Sequence, residues 1–273
     1  MNIITEALQY PFMQQALWVA TLIGITCALL SCFLVLKGWA LMGDAISHAI
    51  LPGIVLANSL GLPLITGAFA AGLTCTLATG WFEKRTTLQS DTLLGIVFST
   101  LFAAGLILFQ RSNTSQHLTH ILFGNLLGML PSQRWQVLIL CLFVLLVLAV
   151  KWRDFMLFVF DPVQARLTGM SIPWLHTTLL VMLTLTAIGA MQAVGVVLVV
   201  AMLIAPGVSA QLVTRRFSHT LITAVALSVC ACCAGVIISF HWDASTGACI
   251  VLCQAVGFLL MLLLRSLRTN HNA

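Results

Sequence analysis

Residues 137–150 read VLILCLFVLLVLAV, a run with no charged or amide side chain. With its neighbours it extends to a segment over 133–150, close to the ~20 apolar residues a helix needs to cross hydrocarbon. Similar runs recur near 14–36, 40–60, 62–82, 92–109, 173–190, 193–214, 218–240 and 244–264. Composition agrees: 60% of the 273 residues are hydrophobic and 7% are charged, where soluble domains carry roughly 25% charged residues. Mean hydropathy is +1.09. A membrane β-barrel would alternate in short segments instead. The expected fold is all-α, a polytopic transmembrane helical bundle of eight or nine spans. No loop is long enough to fold alone, so residues 1–273 form one transmembrane domain. The run 117–130, HLTHILFGNLLGML, is too short and polar to cross and reads as an interfacial helix.

The basic residues orient the bundle. With the N-terminus outside and strict alternation, Lys37, Lys84, Arg85, Lys151, Arg153, Arg166, Arg215, Arg216, Arg265 and Arg268 fall inside. Only Arg111 and Arg134 fall outside, as the positive-inside rule requires. The C-terminus is then cytoplasmic. The start, MNIITEALQYPF, has no basic leader region and contains Glu6, so no cleavable signal is expected.

Several chemistries are missing. There is no G-x-x-x-x-G-K-[ST], so no phosphate-binding loop for ATP. H-E-x-x-H and G-x-S-x-G are also absent. The scattered cations make no nucleic-acid footprint. The chain is expected not to be an enzyme, and any energy must come from a partner or a gradient. The nine cysteines all fall within spans and read as small packing residues, the cluster 230–233 (CACC) included.

One span is chemically different. Residues 43–53 read GDAISHAILPG. A charge at mid-bilayer costs at least ~2.5–3.5 kcal/mol, so Asp44 needs compensation. Asp44 and His48 are four apart and share one helical face. Small neighbours (Gly43, Ala45, Ser47, Ala49) allow close approach by a helix or an ion. Pro52 and Gly53, and Pro206 in a later span, are candidate kinks beside a path. Carboxylate plus imidazole suits Mn²⁺, Fe²⁺ and Zn²⁺. Two ligands bind weakly, whereas a symmetric pair of chains would bring four. The alternative is a hydrogen-bonded pair that holds two helices together.

A second motif lies on the inner side. In DPVQARLTG (161–169), Asp161 suits an N-cap, Pro162 a first helical position and Gly169 a stop. A short cytoplasmic helix follows, with Ala165 and Gly169 expected to form a flat notch for a partner. The alternative is a plain surface helix. Asp91 is read as an N-cap, His241, Trp242 and Asp243 as interfacial anchors, and Gln192 as a possible path residue.

GDAISHAILPGIVLA (43–57) resembles the signature of the membrane permease subunits of bacterial ABC importers for manganese, iron and zinc. DTLLGIVFSTLFAAGLIL (91–108), HILFGNLLGM (120–129) and VGVVLVVAMLIAPGVSAQL (194–212) are similar to further stretches of that family, in matching order. DPVQARLTG resembles its coupling helix. The resemblance runs from about residue 12 to 265. It implies a type II ABC importer-like permease in the bacterial cytoplasmic (inner) membrane, with Asp44 and His48 lining the translocation path. It implies that Asp161, Ala165 and Gly169 couple to the ATPase. The implied partners are cytosolic ABC ATPase subunits, a second copy or a related permease, and an extracytoplasmic metal-binding protein. No cofactor is held permanently. The ISHA-x-LPG form favours Mn²⁺ or Fe²⁺ as cargo, with a zinc importer as the alternative. A gradient-driven secondary metal transporter, or a non-transporting scaffold, would leave 161–169 without a role.

Overall fold

The computed structural model describes residues 9–39, 41–83, 85–88, 90–111, 124, 126–214 and 216–271. Ten helices are seen among them: α1 Pro11–Lys37, α2 Met42–Ser59, α3 Leu64–Glu83, α4 Ser90–Arg111, α5 Pro131–Phe160, α6 Pro162–Leu167, α7 Ile172–Val194, α8 Val196–Val213, α9 Phe217–Trp242 and α10 Thr246–His271. Each expected span corresponds to one of the nine long helices. α5 differs most, running ten residues past the expected end at 150. The interfacial helix expected over 117–130 falls mostly outside the described residues.

Local chemistry marks the helix ends. Proline occupies the first turn of α1, α5, α6 and α7, where its missing N–H has no helical partner to lose. Gly38 closes α1 at φ 76°, with the Trp39 amide donating back to the Leu34 carbonyl at 2.9 Å. This left-handed turn is one glycine adopts without strain.

Length and composition alone qualify seven helices to cross a membrane: α1, α3, α4, α5, α7, α9 and α10. The expected eight or nine exceeds this by one or two. Only a shorter apolar stretch of α8 qualifies, Leu198–Val213, and α2 is not among the candidates. The reason lies in packing. α2 touches α3, α4, α7 and α8, so protein replaces lipid over most of its surface and less apolarity is required.

The bundle has two groups, α2–α3–α4 and α1–α8–α9–α10, with α7 between them. α7 touches α1, α2, α3, α5, α6, α8 and α10. It is 72% buried over its apolar window, against 22% for α4, α5 and α10. Its hydroxyls are satisfied inside the helix: Thr184 and Thr186 donate to the Leu180 and Met182 carbonyls at 2.9 and 2.8 Å. Hydrocarbon demands such internal satisfaction.

Lipid supplies no hydrophobic drive between helices, so close backbone approach does the packing. α2 meets α3 at Gly53 and Gly67, where a Cβ on either would land on the other's backbone carbonyl. α1 meets α9 at Gly24, which lies against Cys232 and accepts from the Ser228 hydroxyl at 2.9 Å. Cys232 is thus a packing residue, and among the described residues no three His, Cys, Asp or Glu could hold a metal. α8 runs through Pro206 without interruption. Ser31 of α1 supports that turn, accepting from the Gly207 amide at 2.9 Å and donating to the Ile204 carbonyl at 3.1 Å. A cross-helix hydroxyl therefore serves the backbone where proline weakens it.

Gly53→Val should lower the unfolding free energy, read from the midpoint of a denaturing-detergent titration, by more than the ~1–3 kcal/mol typical of overpacking, because backbone blocks the new side chain. Gly95→Ala, with nothing within 4 Å of its Cβ, should leave the midpoint equal or higher.

Candidate translocation site

From Met42 to Val55 every residue of α2 is buried except Asp44 and His48. Their side chains are 34% and 31% exposed, on the one open face of the helix. Helical spacing brings them together, with His48 Nε2 3.2 Å from Asp44 Oδ1. α4 supplies the adjoining wall. Phe98 stacks on the imidazole at 6.0 Å between ring centroids, and Phe102 meets it edge-on at 5.2 Å. Ser47 turns inward and donates to the Gly43 carbonyl at 2.7 Å. The open face thus presents one carboxylate and one imidazole beside an aromatic wall. An ionisable pair facing lipid would be costly, so this face suits water or a second protein.

The candidate kink residues of α2 pack against neighbouring helices. Pro52 is buried against Gly105 of α4, and Gly53 against Gly67 of α3. α2 is continuous through both. Gly53 braces the helix from behind its open face, and Pro52 seats it on α4 beside that face.

α6 is a short helix, as expected. Asp161 caps it, accepting from the Val163 and Gln164 amides at 3.0 and 2.9 Å. The expected notch is corrected by the structure. Ala165 is 0% exposed, turned into the body beneath α6, and Gly169 lies beyond the helix end at φ 81°. α6 must bury one face against α5 and α7, and alanine is small enough to sit there. The outward surface is instead Val163 and Leu167, 70% and 82% exposed.

The remaining candidates scatter. The side chain of Asp91 lies outside the described residues. His241 pairs with the Ile237 carbonyl at 3.0 Å, Trp242 is 75% exposed, and Asp243 closes α9 in the left-handed region. Gln192 lines a cavity of about 600 Å³ with Gln133 and Gln136, away from Asp44. Phe98 and Phe102 were not singled out from sequence. Their own i, i+4 spacing, matching that of Asp44 and His48, was the available signal.

A bundle with one polar-faced helix and a capped surface helix is the architecture a membrane permease subunit can use. Residues 9–265 match the ABC 3 transport family, and the chain belongs to it. The resemblance read from 43–57 and 161–169 is thereby borne out. In such transporters ATP hydrolysis resides on a separate subunit, and a substrate-binding protein also takes part. The chain is 52% identical over 262 residues to the chelated iron transport system membrane protein YfeD of Yersinia pestis, covering 96% of this chain and 88% of that one. It is 42% identical over 260 residues to the manganese transport system membrane protein MntB of Synechocystis, covering 95% and 85%. The solved structure of PsaBC from Streptococcus pneumoniae in complex with Fab superposes with a TM-score of 0.85 at 34% identity, covering 94% of each chain.

Asp161→Ala should cost α6 ~1 kcal/mol, the usual value of an N-cap. Hydrogen exchange at the Val163 and Gln164 amides should quicken about fivefold while α5 and α7 stay protected.

Proposed function

We propose that this chain is the permease of an ATP-driven importer of Mn²⁺ or Fe²⁺, with Asp44 and His48 as the ion's stopping point. The observation that carries this is the open face of α2, where these two residues alone break an otherwise buried stretch. The names of the relatives, which concern manganese and chelated iron, agree with the donor set. Zinc fits the same donors and is the competing cargo.

One chain offers two ligands. Two permeases facing each other across the path, identical or related, would bring two carboxylates and two imidazoles to one ion. Such a site is strong enough to strip part of the hydration shell and weak enough to release the ion. Phe98 and Phe102 would keep the imidazoles aimed at the path.

The importer would sit in the bacterial cytoplasmic membrane with the N-terminus outside and the C-terminus inside. An extracytoplasmic metal-binding protein would deliver the ion. The cytosolic ATPase would grip Val163 and Leu167 of α6. Movement of α6 would pass through its contacts with α5 and α7. α7 also touches α2, so the stroke reaches the helix bearing the site. Asp44 lies in the first turn of α2, so with the N-terminus outside the stop would fall in the inner half of the path.

Asp44→Ala and His48→Ala should each reduce accumulation of radiolabelled manganese to the background of cells lacking the chain, with the purified complex intact by size-exclusion chromatography. Normal uptake by both variants would reject the site. Competition by iron and zinc in the same assay ranks the cargo. Leu167→Asp should strip the ATPase from the purified permease, whereas Trp242→Ala at the opposite end should not.

A further inference from the structure

We propose that Gln254 of α10 holds one buried water, and that this water ties α10 to the proline turn of α8. Pro206 sits inside α8 and has no N–H to give the Met202 carbonyl four residues back. Hydroxyls hold the carbonyls just before it. From the α1 side, Ser31 donates to the Ile204 carbonyl at 3.1 Å and accepts from the Gly207 amide at 2.9 Å. Ser209, one turn further along α8, donates to the Ala205 carbonyl at 2.6 Å. Serine bonded back in this way tends to bend a helix. The turn at Pro206 is therefore a weak point of α8, and it gains from any added partner.

A cavity of about 20 Å³ opens beside this turn, between α8, α9 and α10. Pro206, Ser209, Ser228 and Gln254 are among the residues that line it. A water needs roughly 10–15 Å³ of such space, so the cavity takes one water and nothing much larger. Gln254 is 5% exposed, and neither its Oε1 nor its Nε2 has a protein partner. A buried amide in that state gives up its bonds to solvent and regains none.

The lining chemistry selects a neutral ligand that both donates and accepts. Ser209 and Ser228 are buried, and each has given its one hydrogen to a carbonyl, of Ala205 and of Gly24. Their oxygens are left to accept. The wall thus offers three acceptors, Gln254 Oε1 and two hydroxyl oxygens, and one donor group, Gln254 Nε2. An anion would meet mostly lone pairs. A cation would meet the amide hydrogens, and no carboxylate stands among the described lining residues. Water accepts from Nε2 and shares its two hydrogens among the three oxygens. A hydrogen given to Ser209 Oγ strengthens that hydroxyl as a donor to Ala205. The chain from Gln254 through water and Ser209 then reaches the α8 backbone one residue before Pro206.

This site is separate from that of the ion, since Asp44 and His48 do not line it. The two communicate through α8. A Cβ on Gly43 would lie 3.2 Å from Cδ1 of Leu203, which precedes Pro206 in the same helix. A bend at the proline turn therefore shifts a side chain packed next to Asp44. That last link rests on the reading of Asp44 as the ion's stopping point, whereas the water site stands without it.

The test is a density map of the full-length permease in lipid nanodiscs at a resolution that shows water. Wild type should show one peak about 2.7–3.2 Å from both Gln254 Nε2 and Ser209 Oγ. Gln254→Met keeps the side-chain length and removes both amide atoms, and the peak should vanish. In hydrogen exchange read by mass spectrometry, the amides of 207–210 in that variant should exchange about fivefold faster, the worth of one ordinary hydrogen bond, with α7 unchanged. A wild-type map with no peak in the cavity overturns the proposal, and that map stands whether or not the variant folds. A peak ringed by oxygens at about 2.3–2.6 Å overturns it in favour of a metal ion. A peak that survives Gln254→Met, or exchange in 207–210 that stays at the wild-type rate, overturns it as well. None of these readouts uses transport, so the result is independent of whether Asp44 and His48 carry the ion.

Discussion

The contact between His48 Nε2 and Asp44 Oδ1, at 3.2 Å on the open face of α2, sets the terms for the rest of the bundle. Ionisable groups in a membrane need a protein or water environment. α2 obtains it by burying the rest of Met42 to Val55 against four helices, leaving that pair uncovered in this stretch. The tight Gly53–Gly67 crossing, the seat of Pro52 on Gly105 and the Phe98–Phe102 wall all hold the helix in this rotation. A turn of α2 by half a revolution would bury the carboxylate among apolar side chains and expose Ile46 in its place.

α7 joins this site to the surface. It is the most buried helix by its apolar window and the one that bridges the two helix groups. Interiors this closely packed do not deform smoothly, so displacement at one end is passed along rather than absorbed. α6 sits on the ends of α5 and α7 with Ala165 as its inward contact. A larger residue there would lift the helix off its seat.

Much of this was legible in the sequence. Apolar runs of span length located the nine long helices, because hydrocarbon admits only a self-satisfied backbone. The i, i+4 spacing put Asp44 and His48 on one face, since that follows from helix geometry alone. The order Asp161-Pro162 marked the start of α6, because the carboxylate and the fixed φ act locally. Orientation of small residues was not legible. Ala165 and Gly169 are four apart, which suggested one outward notch, but the helix ends before Gly169 and turns Ala165 inward. Pro206 suggested a kink, yet the supporting hydroxyl comes from Ser31, 175 positions earlier.

The sequence by itself determined which segments are helical, which helix carries ionisable groups, and the family. Those properties depend on composition and on neighbours within a few residues. Only the tertiary structure decided which side of α2 stays open, that Phe98 and Phe102 wall it, and that Val163 and Leu167 face outward on α6. Each of these depends on which helices pack together and at what rotation. Glycine contacts between distant segments set that rotation, and a linear pattern does not encode it.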